Sequence, residues 1–310
     1  MNWHKIKHYT RIAGTIIGTG IFIYLVVNAI NKIFTVSEPI VFRGVYLFLA
    51  LIITFSIYFM QMINYQMMLS IQSIDAKLKY ILAGYSYSFL HKYIPGYIWG
   101  YVSRSDWYER ETSIPTISSW IASATEIVIT VASSISIWLC YYLIKNNIDP
   151  LLGFIVVLMP FLIVFPLNLL IPQLRKIKKN KNFFEDLKAI PIGKWSIIAI
   201  NSYLQWGLFG VGLWAMEQAF SLKIEMNIEN LVSYVYSFAR AWVSGFLMVF
   251  IPNGLGVREV VLKDLLVEVG QVGSTTAVLI STSYRLVIMA AELGWVILMV
   301  LVNRRQIEKK

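Results

Sequence analysis

Ile94-Pro95-Gly96-Tyr97-Ile98-Trp99-Gly100 and Ile251-Pro252-Asn253-Gly254-Leu255-Gly256-Val257-Arg258-Glu259 are two versions of one device, their prolines 157 residues apart. Each interrupts an apolar stretch with Pro and Gly, and each leads to an arginine, Arg104 after the first run and Arg258 within the second. Proline removes a backbone donor and clashes with the preceding turn. Glycine permits sharp and left-handed turns. Inside lipid every backbone N–H and C=O needs a partner, so a broken segment survives only against protein or water. The pair therefore predicts broken helices beside a polar cavity, and paired breaks in corresponding halves point to a substrate site. The plainer alternative is two Pro-kinked packing helices whose arginines snorkel to headgroups.

The setting is a membrane. Apolar residues make up 57% of the 310, charged residues 14%, and the mean hydropathy is +0.64. A soluble domain carries about 25% charged residues. A hydrocarbon layer of roughly 30 Å takes about 20 helical residues. Runs of that length are 12–31, 44–74, 112–144, 150–174, 195–216 and 269–303. The regions 80–103 and 228–270 hold the Pro/Gly runs. No room remains for a soluble catalytic domain. The run at 12–31 is too long for a signal-peptide core and lacks a small-residue cleavage site, so it reads as a retained span. Cys140 is alone, and His4, His8 and His91 lack metal-ligand spacing, so no disulfide framework, metal site or cofactor is predicted.

Lysines and arginines set the orientation. The segment 172–194 holds Arg175, Lys176, Lys178, Lys179, Lys181, Lys188 and Lys194, and both termini are basic. All three are placed on the cytoplasmic side, where the basic loop meets anionic headgroups rather than nucleic acid. With both termini inside, 80–103 must enter and leave from the cytoplasmic face and 228–270 from the outer face. The result is an all-α polytopic membrane protein of six full spans plus two re-entrant hairpins. Three full crossings per half make the repeat inverted, with halves at 1–148 and 149–310 of a single transmembrane domain.

The candidate binding residues follow from the breaks: Pro95, Gly96, Trp99 and Arg104 in the first, and Pro252, Gly254, Gly256, Arg258 and Glu259 in the second. Helix N-termini attract anions, and arginine offers a forked donor suited to phosphate. Four further charges, Glu126, Arg240, Arg285 and Glu292, lie in apolar segments, where charges are costly and face a bundle interior or cavity. Arg285 and Glu292 are seven apart, on one helix face. Glu126 follows Pro95 by 31 residues and Arg285 follows Pro252 by 33, opposite signs at near-equivalent places. They serve either as structural pairs, Glu126 with Arg285 or Arg240 with Glu292, or as a relay for protons or substrate; Arg258 and Glu259 could also neutralise each other. Aromatic residues from Tyr85 to Tyr108 crowd the first break, as interfacial anchors or a ligand-facing platform. Gly14, Gly18, Gly207 and Gly212 read as small-residue helix contacts.

Lys92-Tyr93-Ile94-Pro95-Gly96-Tyr97-Ile98-Trp99 through Arg104 resembles the first motif of the lysylphosphatidylglycerol synthase transmembrane-region family. That family includes the flippase half of the multiple peptide resistance factor. Pro252-Asn253-Gly254-Leu255-Gly256-Val257-Arg258-Glu259 resembles its second motif, with Asn253 at a usual glycine; Asn also tolerates left-handed turns. Arg285 and Glu292 look like its charged pair in the last span, and Glu126 like its carboxylate after the first motif. The resemblance covers nearly the whole chain but not the synthase domain, so lipid aminoacylation is not implied.

The expectation is a flippase-like multi-pass cell-membrane protein, not an enzyme, that binds an anionic-headgroup lipid or polyprenyl-linked glycolipid and moves it across the bilayer, beside enzymes of envelope biosynthesis. The alternative is an accessory subunit or enzyme of lipid-linked polysaccharide synthesis. No Gly-x-x-x-x-Gly-Lys-Ser/Thr run is present to bind a nucleotide.

Overall fold

The computed structural model describes residues 42–94, 98–175, 188–220, 226–248, 251–270 and 272–307, with Val27 and Asn31. The expected span at 12–31, the residues Pro95 and Gly96, and most of the basic loop lie outside the described residues. Every regular element among the described residues is helical. In chain order these are α1 (Gly44–Ile71), α2 (Leu78–His91), α3 (Trp99–Glu111), α4 (Thr116–Lys145), α5 (Pro150–Leu162), α6 (Val164–Arg175), α7 (Ile192–Ala219), α8 (Ile228–Leu247), α9 (Val257–Gly270) and α10 (Ser274–Ile307). A single 3-10 turn, Pro252–Gly254, lies between α8 and α9.

Among the described residues five stretches are long and apolar enough to cross a membrane: Gly44–Ile71, Thr116–Lys145, Pro150–Gln173, Ile192–Ala219 and Ser274–Val302. The first Pro/Gly run ends in α3, which Trp99 and Gly100 open, and the second runs from just past the end of α8 through the 3-10 turn into the first turn of α9. Proline chemistry also sets other boundaries. Pro115 precedes α4 in an extended conformation, so the helix starts at Thr116 rather than at Thr112. Pro150 opens α5, with Asp149 as its cap accepting from the N–H of Leu151 at 2.9 Å.

The chain divides into two compact units. One comprises residues 1–58, 86–103 and 206–310; the other comprises 59–85 and 104–205. The boundaries run through α1, α2, α3 and α7.

In the second unit α5 packs on α4. The run 150–174, expected to be one helix, breaks at Ile163 into α5 and α6. Pro160 has no N–H to donate to the carbonyl of Val156, four residues earlier. Ser136 Oγ supplies that bond at 2.7 Å. Tyr203 donates to the carbonyl of Val157 at 2.7 Å, and the indole of Trp195 to that of Pro160 at 2.7 Å. Carbonyls loosened by a proline are thus taken up by side chains of neighbouring helices, as lipid requires.

In the first unit α8 packs on α9 and α9 on α10. Two glycines of α7 allow close approach. A Cβ at Gly210 would sit 2.5 Å from Val235 on α8, and one at Gly212 would sit 2.3 Å from the hydroxyl of Tyr284 on α10. That hydroxyl donates to the carbonyl of Phe209 at 3.1 Å. Gly207 has nothing within 4 Å, so it is not the helix contact expected of it.

Candidate functional site

The first unit gathers buried charges at the second Pro/Gly break and along one face of α10. Backbone conformation shapes the break. Asn253, Gly254 and Gly256 have φ of 48°, 64° and 86°. This is left-handed backbone that glycine takes freely and asparagine tolerates. The turn passes so close to α8 that a Cβ on Gly254 would lie 2.7 Å from the Cα of Gly245. Glu259, third residue of α9, reaches back to accept the N–H of Gly256 at 2.6 Å, one half of a capping box.

Its other carboxylate oxygen lies 3.4 Å from Arg285 Nε, and both side chains are about 5% exposed or less. Arg285 also donates to the carbonyl of Asn253 at 3.4 Å. Arg258 turns toward α8, where its stem occupies the room left by Gly245 and its guanidinium lies 5.3 Å from the ring centre of Trp242. Arg258, Glu259, Ser281, Tyr284 and Arg285 line a small cavity with Trp242, Phe238, Leu262 and Ile288. Its volume is about 20 Å³, against the roughly 10–15 Å³ that one water needs.

Two turns along α10, Glu292 is only 2% exposed and accepts from three donors: the hydroxyl of Tyr58, the ammonium of Lys92, and the hydroxyl of Tyr93 at 2.7 Å. Tyr93 also spans the distance to Arg285, whose guanidinium is 5.8 Å from its ring centre. Arg285 and Glu292 share a face, as their spacing implies, yet take different ion partners, Glu259 and Lys92.

In the second unit Arg104 and Glu126 form a buried pair. Arg104 donates to Glu126 at 2.7 Å and lies over the rings of Tyr85 and Tyr65, 3.7 and 4.7 Å from their centres. Tyr85 donates to the other oxygen of Glu126. Tyr65 bonds Ser119 Oγ at 2.7 Å, and Ser105 donates to the same oxygen at 2.9 Å.

Sequence spacing alone suggested other partners. Glu126 takes Arg104 rather than Arg285, Glu292 takes Lys92 rather than Arg240, and Glu259 takes Arg285 rather than its neighbour Arg258. Arg240 donates to Tyr236, one turn earlier on α8, at 2.6 Å. Trp99 opens α3, half-buried, and Pro252 opens the 3-10 turn. Pro95 and Gly96 lie outside the described residues.

Sequence reasoning missed three participants. Lys92 is the one Lys or Arg in the apolar region 80–103, a signal that was available. Tyr58 carries no such signal in an aromatic-rich span. Glu217 lies just past the expected span end at Met216, yet α7 runs on to Ala219; Glu217 is fully buried and accepts from Tyr234. Among the described residues no three His, Cys, Asp or Glu side chains cluster to hold a metal ion.

No protein-family model matches the chain, and no curated protein shows significant similarity to it. Among the described residues the fold is all-helical, with five stretches able to cross a membrane, which defines a multi-helix membrane protein as its class.

Proposed function

We propose that this chain is a flippase-like integral membrane protein that binds and translocates an amphiphile with an anionic headgroup, a phospholipid or polyprenyl-linked glycolipid, in the cell membrane. The observation that carries the reading is the cavity at the second break. It places Arg258, in the first turn of α9, beside Arg285 with a single carboxylate, Glu259, between aromatic and aliphatic walls. A helix N-terminus carries about half a positive charge and exposes N–H donors. Two arginines add planar donors for phosphate. The apolar walls suit the chain that follows a headgroup. The cavity admits only a water-sized group in this conformation, so loading requires the break to open, and the left-handed residues Asn253, Gly254 and Gly256 are the pivots for it.

The resemblance to the lysylphosphatidylglycerol synthase transmembrane-region family supports the same reading, as does helix order. A long helix, a broken pair and a long helix (α1; α2 and α3; α4) recur as α7; α8 and α9; α10. Helices α2, α3 and α9 have 14, 13 and 14 residues. At 1.5 Å per residue each reaches about 20 Å, short of a bilayer core. Helix α8 reaches about 30 Å but carries Arg240. With the segment 12–31, these lengths favour six spans and two re-entrant hairpins in an inverted repeat, and the basic loop and basic ends favour cytoplasmic termini. Cysteines placed at 145–149 and 221–229 should then label from outside, and those at 176–182 from inside.

The deciding experiment is reconstitution in liposomes with fluorescent anionic-headgroup lipids. Wild-type protein should move them between leaflets. Arg258→Lys should impair movement while the protein stays folded, because lysine keeps the charge but loses the fork. Arg305→Lys, in the basic C-terminal run 304–310 that sets topology, should be silent. Wild-type rates in Arg258→Lys would remove Arg258 from the site, and no movement of any such lipid by wild type would overturn the transport reading.

A further inference from the structure

Lys92 Nζ lies 5.4, 5.0 and 5.7 Å from the ring centres of Tyr58, Phe89 and Tyr93, and forms an ion pair with Glu292. Three aromatic rings around one cation, closed by a carboxylate, are the chemistry that recognises an organic ammonium group. We propose that this pocket is an ammonium-binding cage filled by the protein's own Lys92, and that a ligand bearing a small ammonium group displaces the lysine and takes its place. The proposal stands independently of the lipid-transport reading.

Two of the walls are buried, while Tyr93 and the occupant are half-buried. Tyr58 and Phe89 are about 5% exposed or less. The side chain of Glu292 is 3% exposed, but that of Lys92 is 24% exposed, so the cage opens on the lysine's side. Lys92 belongs to no helix. It follows the end of α2 at His91, three residues before Pro95, on a stem of four methylenes that can swing out. Leaving Glu292 buried without a cation is strongly unfavourable. Exchange of one ammonium for another preserves the pairing, so displacement is the accessible route and simple opening is not. The hydroxyls of Tyr58 and Tyr93 hold the carboxylate in place during the exchange. The incoming ammonium comes from a zwitterionic lipid headgroup or from a free amine, and the cage chemistry is the same for both.

The test reads Lys92 directly in the wild-type protein. Acylation of Lys92 by an amine-specific ester is followed by mass spectrometry in phosphatidylglycerol nanodiscs. Tetramethylammonium chloride, which does not consume the reagent, is compared with sodium chloride at equal ionic strength, and a third arm adds phosphatidylcholine. A saturable rise in Lys92 acylation with tetramethylammonium identifies a site for free cations. A rise with phosphatidylcholine alone identifies a headgroup site. Equal acylation in all arms overturns the proposal. As a second readout, Lys92→Ala vacates the cage, and ethylammonium should raise its thermal midpoint by several degrees over sodium. The effect should vanish in Lys92→Ala with Glu292→Gln. A folded Lys92→Ala protein that ethylammonium does not stabilise also overturns it, and if that variant fails to fold, the acylation result decides.

Discussion

Glu259 on α9 lies 3.4 Å from Arg285 on α10, and the two carry their charges in the reverse order from Arg104 on α3 and Glu126 on α4, 2.7 Å apart. In each unit the second helix of a broken pair is ion-paired to the long helix that follows. The first unit puts the carboxylate on the short helix; the second puts the guanidinium there. A buried charge must be matched locally, and either order of signs meets that need. The swap therefore leaves the mechanical role of the pair unchanged while reversing which charge lies near the break. Arg258 lies beside the cavity at the second break, while Arg104 is paired with Glu126.

Breaking the Arg104–Glu126 pair from one side should expose its cost. Removing one partner of a buried ion pair costs about 3–5 kcal/mol, because the other charge is left uncompensated. Arg104→Gln should lose about 3 kcal/mol of stability, and adding Glu126→Gln should restore most of it. Thermal unfolding in detergent of the four proteins of this cycle gives the coupling, and strictly additive losses would show that none exists.

Gly245 and Gly207 are both helical glycines, yet alanine should act in opposite directions. Glycine in a helix interior costs about 1 kcal/mol relative to alanine. Gly207 has nothing within 4 Å, so Gly207→Ala should be neutral or stabilising by up to about 1 kcal/mol. A Cβ at Gly245 would lie 2.3 Å from Arg258 Cγ, so Gly245→Ala should destabilise by about 1–3 kcal/mol. It should also slow lipid movement by displacing Arg258. Melting temperatures and the liposome assay test the contrast.

Ser136 should matter because of Pro160. In wild type, Ser136→Ala leaves the carbonyl of Val156 without its 2.7 Å donor, at a cost of about 1–2 kcal/mol. In a Pro160→Ala background the restored N–H at residue 160 can take that carbonyl, and the same substitution should cost less. Equal losses in both backgrounds would sever the link between serine and proline.

Asn253 holds φ of 48°. Asn253→Gly should fold and melt like wild type, whereas Asn253→Ala should lose about 1 kcal/mol through left-handed strain. Equal losses in the glycine and alanine variants would mean that the amide side chain, not the backbone, sustains the turn.

Much of the helical layout was legible in the chain, because apolar run length and backbone chemistry are local. The stretches around 44–71, 116–145, 192–219 and 274–302 read directly as spans, since a helix that crosses lipid needs a continuous apolar run. Pro252 announced a break, and that break falls between α8 and α9. Pro160 was equally visible but was read as part of one span, because its repair by Ser136, Tyr203 and Trp195 comes from residues distant in sequence.

Sequence spacing by itself determined that Arg285 and Glu292 share a face of α10, two turns apart, since helical periodicity needs no knowledge of neighbours. Only the tertiary structure decided what meets that face. Lys92, Tyr93 and Tyr58 reach Glu292 across 200, 199 and 234 residues, and Glu259 reaches Arg285 from a helix whose close packing depends on Gly245 and Gly254. A charge in an apolar run states that a partner must exist. Which partner it is depends on packing between helices, where a missing Cβ on a glycine brings one side chain within reach and leaves another outside.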